Sequence, residues 1–586
     1  LAWVGNHSCR FLQAAFTNCL NQTFGMHKIQ SGLYQISLLT TITQGSRDVS
    51  ETIYAAKAKF QEEYSAKIPA LSLLNNLGWR YVSPDEALKQ RAGKTDEVVL
   101  REVLRQELSK RRFEFEGKTH ALSAKSIDKL ITQLCSPVLN EGLLAANETL
   151  YNHMVYGIAV TEFVNGNKAT PTIAIIDWHN IDNNDFCYTE EMVVSRANGI
   201  DHRKPDIVCF VNGLPWVVIE AKRPDAQAHK GPTVKEGISQ NIRNQQVNEI
   251  QRLFAYSQLL LSINGFEGRY GTCGTAAKFW AAWREEDFSD EAMHVLKNQA
   301  VQPSELQKMF AHRPAHVWQW YQDLLAGGEL KVTGQDRLLI SLLTPARLLE
   351  IMRLFTFFDK KVGKVVARYH QVFGLKRLIE RINTKKPQGG REGGVIWHTT
   401  GSGKSFTMVF LSKALILNEA LKQCRLVIVT DRVDLESQLS KSFASSGEFS
   451  NDKEHANSMA TSGKILAEQI GKGKQRIVFS LIQKFNSAIK FPECVNTSED
   501  IIVLIDEGHR SQGGENHIKM TQALPNASFV AFTGTPLLKE EKTVSKFGKI
   551  VHAYTMQRAV EDQTVTPLLY EERIPDLEVN ARALDN

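Results

Sequence analysis

The sequence lacks several features that would assign it to a specialised class of protein. Its eight cysteines include no CxxC pair, which excludes zinc-ribbon spacing, and their scatter fits a reducing compartment better than a secreted disulfide framework. No run of about 18 apolar residues occurs, so we expect no membrane span. The 70 basic and 64 acidic residues leave a net charge of only +6, so a nucleic-acid partner cannot be inferred from the total charge.

The first 47 residues contain no Asp or Glu and are rich in Asn, Gln, Thr and Ser. An acid-poor start is typical of a transit peptide, but such peptides are rich in arginine, and this segment contains only Arg10 and Arg47. A basic segment followed by an apolar one, as in a secretory signal, is also missing. We therefore predict that residues 1–49 are a leader, disordered or artefactual, that takes no part in the fold.

The rest of the chain changes character near residue 386. Helical patterns over Thr95–Phe115 and Ser126–Val160 precede strand-like sequence at Thr172–Lys222, and Phe279–Lys385 is mostly helical in pattern. After the Gly-rich segment Lys386–Gly394, short apolar strands alternate with helices, which predicts a parallel, doubly wound sheet. The predicted strands are Val395–Trp397, Leu426–Thr430, Ile477–Ser480, Ile501–Ile505 and Phe529–Thr533.

The segment VIWHTTGSGKSFTM joins an apolar strand to a helix through a Gly-rich turn. In such a turn, backbone N–H groups converge on phosphate oxygens, and the helix N-terminus adds partial positive charge. Lys404 would reach the β- and γ-phosphates of ATP, and the Ser405 hydroxyl would bind Mg²⁺. His398 stands where the generic pattern has its first Gly, but the core of the loop is intact: Thr400, Gly401, Ser402, Gly403, Lys404 and Ser405.

Two further apolar strands end in polar residues that suit ATP hydrolysis. The segment IIVLIDEGHR ends in adjacent carboxylates, of which Asp506 can hold Mg²⁺ and Glu507 can orient or deprotonate the attacking water. The segment FVAFTGTP places Thr533 and Thr535 at the same edge of the predicted sheet. Their hydroxyls would sense the γ-phosphate of ATP and relay its loss.

The motifs TTGSGKS, DEGH and TGTP resemble motifs I, II and III of the first RecA-like domain of superfamily 2 helicases and translocases, in order and in spacing. The segment VTDRVDLESQL resembles the part of that family that contacts the DNA backbone, which implies this role for Thr430 and Arg432. The segment ARYHQVFGLKRLIERI precedes the phosphate loop, where the family keeps an adenine-reading glutamine. The resemblance implies Gln371 for this role, with Arg368 or Tyr369 beside the base.

A second constellation of polar residues lies in Arg203–Pro224, where two apolar strands meet at Asn-Gly, a strong hairpin signal. The hairpin brings Asp206 near Glu220 and Lys222, which alternate by two and therefore share one face of a strand. An ideal two-residue turn would place position 206 opposite 219, so the three polar groups could not share a face. We therefore predict a bulge or a longer turn near Pro215, which lacks a backbone N–H.

Two carboxylates and one lysine on adjacent strands suit metal-assisted hydrolysis of a phosphodiester. Asp206 and Glu220 would hold Mg²⁺, which polarises the phosphate and lowers the pKa of a bound water. Lys222 would position that water or stabilise the charge that develops on the phosphate. The three residues therefore predict a nuclease site.

The residues Pro205-Asp206 and Glu220-Ala221-Lys222 resemble the PD-(D/E)xK nuclease core. That resemblance implies an accessory contact from Gln240 on the following helix, although position 244 is Asn where the family often has Tyr. Some members of the family also use a carboxylate from an earlier helix. Two residues, Glu102 and Glu148, are candidates for it, and the sequence does not choose between them.

A PD-(D/E)xK core followed by a superfamily 2 motor resembles the restriction (R) subunit of type I restriction–modification enzymes, over about residues 50–580. The resemblance implies an α/β fold, in which a mixed sheet flanked by helices forms the nuclease core. A helical linker and a RecA-like parallel, doubly wound sheet follow. The implied domains are a leader (1–49), an endonuclease domain (50–285), a helical connector (286–365), the first RecA-like ATPase domain (366–560) and the start of a linker (561–586).

The same resemblance implies a type I site-specific deoxyribonuclease that uses ATP and Mg²⁺ in the cytoplasm of a bacterium or archaeon, away from membranes. Its partners would be double-stranded DNA and the methyltransferase (M) and specificity (S) subunits. ATP hydrolysis would pull DNA past the complex, and cleavage would follow at a remote, non-specific place. Because the specificity subunit selects the target, we expect this chain to contact phosphates, with salt-sensitive affinity.

This family uses a second RecA-like domain to bring arginines to the ATP cleft, and residues 561–586 resemble the linker into it. We expect that this chain binds ATP and hydrolyses it slowly. Two alternatives stay open on the sequence. One is a superfamily 2 translocase or helicase of repair type with a nuclease-like DNA clamp, and the other is an inactive DNA-binding remnant.

Overall fold

The computed structural model of the protein describes residues 61–224, 234–507, 515–535 and 547–566. The chain divides into two compact units. The first contains the residues up to 384 together with 413–422 and 444–448, and the second contains the remaining residues from 385 onward. The predicted leader (1–49) and most of the predicted linker (561–586) lie outside the described residues.

Most strands of the first unit have two to four residues, and the longer ones belong to its main sheet. In chain order they are β1 (Arg80–Tyr81), β2 (Arg112–Phe115), β3 (Lys118–Ala121), β4 (Ile158–Ala159), β5 (Glu162–Val164), β6 (Asn167–Ala169), β7 (Thr172–Ile173), β8 (Phe186–Glu190), β9 (Val194–Ser195), β10 (His202–Arg203), β11 (Ile207–Val211), β12 (Leu214–Ala221), β13 (Leu259–Ile263), β14 (Gly268–Gly271), β15 (Thr356–Asp359) and β16 (Gly363–Val366).

The main sheet of the first unit has six strands in the order β1-β8-β11-β12-β13-β14. The pairs β1/β8 and β12/β13 are parallel, and the other neighbouring pairs are antiparallel. Every residue of β11 and β12 is buried, because both strands lie in the interior of the sheet. This arrangement confirms the prediction of a mixed sheet flanked by helices.

The helices of the first unit surround this sheet. They are a π-helical turn (Glu63–Lys67), 3-10 turns at Ile181–Asn183 and Ala277–Phe279, and the α-helices α1 (Ile68–Asn76), α2 (Pro84–Gln90), α3 (Arg101–Lys110), α4 (Ala124–Cys135), α5 (Leu143–Tyr156), α6 (Val234–Asn244), α7 (Gln251–Tyr256), α8 (Asp290–Asn298), α9 (Pro303–Phe310), α10 (Ala315–Ala326), α11 (Gly334–Leu343), α12 (Pro345–Leu354) and α13 (Tyr369–Asn383).

Two of the helical predictions for this unit are wrong in part. The predicted helix Thr95–Phe115 ends at Lys110, and the hairpin β2–β3 follows. The reason is local, since RFEF alternates apolar and polar residues and Glu116-Gly117 adopts positive φ angles of 51° and 72°, as a hairpin turn requires. The mostly helical segment from Phe279 likewise contains the hairpin β15–β16.

The second unit is built on a parallel sheet. Its strands are β17 (Gly394–His398), β18 (Arg425–Thr430), β19 (Ile477–Leu481), β20 (Ile501–Asp506), β21 (Ser528–Thr533) and β22 (Ile550–Tyr554), in the spatial order β19-β18-β20-β21-β17-β22. All five neighbouring pairs are parallel, so the predicted doubly wound sheet and its five strands are confirmed. The sixth strand, β22, was not predicted.

Helices connect the strands from β17 to β21, as parallel pairing requires. Beyond residue 385 the described helices are α14 (Lys404–Leu417), α15 (Val433–Ser445), α16 (Asp452–Ser458), α17 (Gly463–Gly471), α18 (Lys484–Ala488), α19 (Glu515–Ala523) and α20 (Met556–Glu561), with a 3-10 turn at Pro492–Cys494. β18 and β20 are almost continuous runs of Val, Ile and Leu because both faces are covered. None of the helices in the described ranges is long and apolar enough to cross a membrane.

Candidate functional site: a carboxylate cluster and a phosphate loop

The nuclease hairpin turns at Asn212-Gly213, as predicted. Both residues have positive φ angles, 52° and 80°, and Val211 pairs directly with Leu214 across the two-residue turn. A Cβ atom on Gly213 would lie 2.5 Å from the carbonyl oxygen of Leu100, so the position requires glycine for space as well as for its φ angle. The turn therefore packs closely against the segment before α3.

The predicted irregularity in this hairpin is confirmed. The register shifts between Cys209, which pairs with Val217, and Phe210, which pairs with Pro215, so Trp216 is the extra residue. Beyond this bulge Ile207 pairs with Ile219, and Asp206 therefore comes opposite Glu220. Without the extra residue the two carboxylates would point to opposite faces of the sheet.

The side chains of Asp206, Glu220 and Lys222 come together at the ends of β11 and β12. Asp206 Oδ2 accepts a hydrogen bond from the backbone N–H of Ala221 at 2.8 Å. Lys222 Nζ lies 3.5 Å from the same oxygen and 4.0 Å from Glu220 Oε2, and it donates to the Ala221 carbonyl at 2.6 Å. The predicted catalytic residues therefore share one polar cluster.

Glu220 is fully buried at the centre of this cluster. Among the described residues, no protein donor hydrogen-bonds to either of its carboxylate oxygens. Burial and the neighbouring carboxylate of Asp206 raise the pKa of Glu220 well above its usual range, and Lys222 only partly offsets them. A buried carboxylate with no donor is expensive, so this site has the chemistry of one completed by a cation.

These residues fit a magnesium ion. In the described ranges, no group of three or more His, Cys, Asp or Glu side chains is arranged to hold a metal. Mg²⁺, however, usually keeps several waters and binds one or two protein carboxylates, so Asp206 and Glu220 form a sufficient donor pair.

The structure places a third carboxylate in the cluster that the sequence did not indicate. Glu62 Oε2 lies 3.6 Å from Lys222 Nζ, and burial together with the charge of Asp206 raises the pKa of Glu62. The two candidates proposed for the earlier carboxylate, Glu102 and Glu148, instead lie on exposed faces of α3 and α5. Glu62 directly precedes a π-helical turn, a rare conformation that is frequent at functional sites.

The accessory residue predicted on the following helix, Gln240, lies half-buried on α6. This helix packs tightly on the cluster: a Cβ atom on Gly237 would lie 2.3 Å from Ser262 Oγ and 3.3 Å from Glu220 Cβ. The side chain that hydrogen-bonds to the sheet is that of Asn241, which donates to the Leu261 carbonyl at 3.2 Å. The role of Gln240 stays a prediction.

In the second unit, the predicted phosphate loop follows β17 and leads into α14. Gly401 and Gly403 have φ angles of 83° and 88°, which only glycine adopts easily. Ser402 Oγ donates to the Thr399 carbonyl at 2.6 Å and thereby braces the turn. Lys404 is the first residue of α14, and Ser405 is the second. The loop therefore presents glycine backbone at a helix N-terminus, the arrangement that binds phosphate groups.

The two acidic residues at the end of β20, Asp506 and Glu507, lie beside this loop. Lys404 Nζ lies 3.6 Å from Glu507 Oε1, and it reaches the His398 carbonyl at 3.5 Å. Burial raises the pKa of Asp506 to about 6, the charge of Glu507 adds to the rise, and Lys404 opposes it. A buried carboxylate with a raised pKa beside a phosphate loop suits Mg²⁺ coordination, with the Ser405 hydroxyl as a second oxygen donor.

The third motif also lies against the phosphate loop. A Cβ atom on Gly534 would lie 2.8 Å from Thr400 Oγ1 and 3.5 Å from Lys404 Nζ, so glycine allows the close approach. Thr533 Oγ1 accepts a hydrogen bond from the Thr535 N–H at 3.2 Å. The structure thus brings residues of all three motifs together, as their order in a parallel sheet predicts.

The other predicted nucleotide and DNA contacts are Gln371 with Arg368, and Thr430 with Arg432. Gln371 is buried at the start of α13, where its Oε1 accepts a hydrogen bond from the Arg368 N–H at 2.9 Å, beside Tyr369. The Thr430 side chain is buried and donates to the Arg432 carbonyl at 3.2 Å, while Arg432 itself is exposed. Exposure makes Arg432 the better candidate of the two for a DNA phosphate.

Comparison with known proteins finds two family models that match different parts of the chain. Residues 59–279 match the family described as type I restriction enzyme R protein N terminus (HSDR_N), and residues 370–586 match the SWI2/SNF2 ATPase family. The two matched families thus cover different parts of the chain. The HSDR_N match contains Asp206, Glu220 and Lys222, and the ATPase match contains the phosphate loop, which confirms the resemblance predicted from the motifs.

Two curated relatives contain both regions. The chain is 29% identical to the putative type I restriction enzyme MjaIXP endonuclease subunit of Methanocaldococcus jannaschii, over 90% of this chain and 48% of that protein. It is also 29% identical to the type I restriction enzyme HindI endonuclease subunit of Haemophilus influenzae, over 86% of this chain and 45% of that protein. The chain therefore spans about half the length of these relatives.

The similarity of the chain to solved structures is weak, as one example shows. The UvsW helicase from bacteriophage T4 has a TM-score of 0.25 and 14% sequence identity, over 33% of this chain and 63% of the helicase. A similarity of that size supports no argument about function.

Proposed function

We propose that this chain is the nuclease and first motor part of the restriction subunit of a type I restriction–modification enzyme, a type I site-specific deoxyribonuclease. In this function, ATP-driven translocation of double-stranded DNA is coupled to metal-dependent, non-specific cleavage. The observation that carries the proposal is the pairing of Asp206 with Glu220 beside Lys222. A bulge is needed to create it, and it leaves a fully buried carboxylate to which no donor among the described residues hydrogen-bonds.

Each residue of the nuclease cluster has its own role. Asp206 and Glu220 would hold Mg²⁺, which when bound polarises a phosphodiester and activates water. Lys222, which is anchored by the Ala221 carbonyl, donates to the phosphate oxygen on which negative charge develops. We assign Glu62, which lies beside Lys222, and Gln240, on α6, to orienting the water.

The ATPase residues bind ATP, at a site of their own in the second unit. The backbone of Thr400, Gly401, Ser402 and Gly403 cradles the phosphates, and Lys404 neutralises the β- and γ-phosphates. Ser405 and Asp506 would hold Mg²⁺, and Glu507 would orient the attacking water. Thr533 and Thr535 sense the γ-phosphate. We assign the adenine to Gln371 with Arg368.

The proposal also includes partners. Methyltransferase and specificity subunits would bring the chain to its DNA target, because this chain offers phosphate contacts, such as Arg432, rather than a reader of base sequence. Both named relatives are called endonuclease subunits, which fits an assembly of several subunits. A reducing cytoplasm agrees with the six described cysteines, all of which are free and buried.

The experiment separates the two activities with one variant for each. Glu220→Gln removes a metal ligand at nearly constant volume, so DNA cleavage by the assembled enzyme should fall at least 100-fold while ATP-driven translocation continues. Lys404→Ala removes the phosphate-binding ammonium, so affinity for a fluorescent ATP analogue should be lost. Cleavage that survives Glu220→Gln would show that the nuclease assignment is wrong.

Each variant has a matched control in the same unit. Glu102→Gln changes an exposed glutamate of the HSDR_N domain and should leave cleavage unchanged. Lys453→Ala removes an exposed lysine of the second unit and should leave nucleotide affinity unchanged. Equal losses in a variant and its control would indicate general damage and would contradict the assignment of specific roles.

A further inference from the structure

A second group of ionised side chains, buried at its centre, lies near the nuclease residues, and the function proposed above does not use it. We call it the Arg313 network: Arg313, Lys67, Glu63, Glu190 and Glu191. Arg313 Nε donates to Glu63 Oε1 at 2.9 Å, and its Nη2 donates to Glu190 Oε2. Lys67 Nζ lies 2.8 Å from Glu63 Oε2 and 2.7 Å from Glu191 Oε1. Two cations thus tie together three glutamates.

The centre of the network is dry and charged. The side chains of Glu190 and Arg313 are only 1% and 5% exposed. Glu190 Oε1 also accepts a hydrogen bond from the Tyr81 hydroxyl at 2.9 Å and lies 3.4 Å from His312 Nε2. Burial alone would raise the pKa of Glu190, but His312 and Arg313 lower it to about 2, so this carboxylate is ionised. A buried ion group of this kind holds its geometry because every member needs its partners.

The network attaches to the segment that carries Glu62 and to the segment that carries the metal ligand Asp206. Glu63 directly follows Glu62, so the hydrogen bond from Arg313 holds the backbone turn that presents Glu62. On the sheet, the Glu191 N–H donates to the Asp206 carbonyl at 3.1 Å. Glu190, at the end of β8, pairs with Ile207, the residue after Asp206.

The cluster needs such outside support for an electrostatic reason. Glu62, Asp206 and Glu220 all lie within 4.0 Å of a single lysine, Lys222, so three negative charges share one positive partner and repel one another. Since Glu62 is the most exposed of the three, repulsion would turn it toward water unless its backbone is fixed. Residues that orient metal ligands from behind typically change metal affinity 10- to 100-fold when they are altered.

We propose that Arg313 is a positioning residue of the nuclease site: by joining Glu63 to Glu190, it fixes the two segments that carry Glu62, the water-orienting carboxylate, and Asp206, a metal ligand. The inference rests on the proposed nuclease function and extends it. Arg313 lies between α9 and α10, in the segment predicted as a helical connector, and 123 positions separate it from Glu190. The connector therefore completes the nuclease site rather than only linking it to the motor.

The test is Mn²⁺ binding by the 586-residue chain without nucleotide, measured by isothermal titration calorimetry. Arg313→Lys keeps a positive charge beside Glu190 but cannot donate to both carboxylates as the guanidinium fork does. We expect it to weaken Mn²⁺ binding about tenfold, and excess Mn²⁺ should restore full occupancy. Glu63→Gln, which changes a partly exposed residue, should weaken binding in the same direction by a smaller factor. Affinity equal to the wild type in both variants would overturn the inference.

The matched control is Arg347→Lys. Arg347 is another buried arginine of the first unit, and it forms a similar fork with Glu285 and Asp287. This variant should lose comparable thermal stability without any change in Mn²⁺ affinity. If it weakens Mn²⁺ binding as much as Arg313→Lys does, the effect is structural and the inference fails.

A Glu220→Gln titration keeps this inference separate from the proposed function. If the wild type shows no Mn²⁺ binding that Glu220→Gln removes, the nuclease site itself is wrong. If that binding is present but insensitive to Arg313→Lys, only the positioning role is wrong.

Discussion

Asp506, the predicted Mg²⁺ ligand of the ATPase domain, should destabilise the nucleotide-free protein. Its carboxyl group is buried beside Glu507, and its pKa is raised from 3.8 to about 6, with Lys404 as a partial counter-charge. The folded state therefore keeps this proton up to about pH 6, whereas the unfolded state loses it near pH 4. Folding stability falls as the pH rises through that window, and the full cost persists above pH 6.

The size of the effect follows from the shift. About two pKa units correspond to about 3 kcal/mol at pH 7.5, and roughly half of that cost is present at pH 5. Asp506→Asn removes the ionisation, although a buried amide keeps part of the cost because it also needs hydrogen-bond partners. We expect a gain of about 2 kcal/mol at pH 7.5, which should raise the unfolding midpoint of this domain by roughly 4–8 °C.

Differential scanning calorimetry of the nucleotide-free chain at pH 7.5 and pH 5 tests this reasoning. The transition of the ATPase domain is the one that Mg²⁺ and ATP shift in the wild type, and Asp506→Asn should reduce that shift. The gain from the substitution should shrink at pH 5. Asp434→Asn, an exposed aspartate of the same unit, should change the midpoint little at either pH. A gain of equal size at both pH values, or a loss at pH 7.5, would refute the electrostatic explanation.

Three glycines provide further predictions. Gly237→Ala should abolish DNA cleavage and spare nucleotide binding, because the new methyl group would lie 2.3 Å from Ser262 Oγ and press on Glu220. Unchanged cleavage rates would argue against the close packing of α6 on the carboxylate cluster. Gly534→Ala should weaken binding of a fluorescent ATP analogue about tenfold, since its methyl group would crowd Thr400 Oγ1 at 2.8 Å; wild-type affinity in titrations would contradict the contact. Gly213→Ala should cost about 1–3 kcal/mol in denaturant unfolding because of its positive φ angle, and a smaller loss would speak against the two-residue turn.

Much of the ATPase domain could be predicted from local sequence. Strands buried on both faces are continuous apolar runs, and their spacing by helices implies parallel order, so motifs at their carboxyl ends had to meet at one edge. The exception is β22, whose sequence IVHAY contains a buried histidine and does not stand out as a core strand. It joins the sheet because it pairs with β17, and pairing between strands so distant in the chain has no local signal.

The nuclease site also combines features that the local sequence predicts with features that depend on the tertiary structure. The Asn-Gly turn and the two-residue spacing of Glu220 and Lys222 are features of the local sequence. The alternation of side chains between the two faces of a strand showed that the hairpin needed an irregularity. Which residue forms the bulge depends on packing, and Trp216 occupies it. The two candidates for the third carboxylate, Glu102 and Glu148, lie on exposed helix faces, because a glutamate on a helix carries no mark of which face the fold will bury.

The sequence by itself determined the chemistry of this protein: a phosphate loop, a pair of acidic strand ends and a carboxylate–lysine hairpin, each encoded within a few adjacent residues. Only the tertiary structure decided what surrounds them. Glu62 reaches Lys222 across the fold, and Arg313 reaches Glu63 across 250 positions of the chain. Periodicity and turn chemistry act over short segments, whereas contacts between such distant residues are selected by the packing of the whole unit.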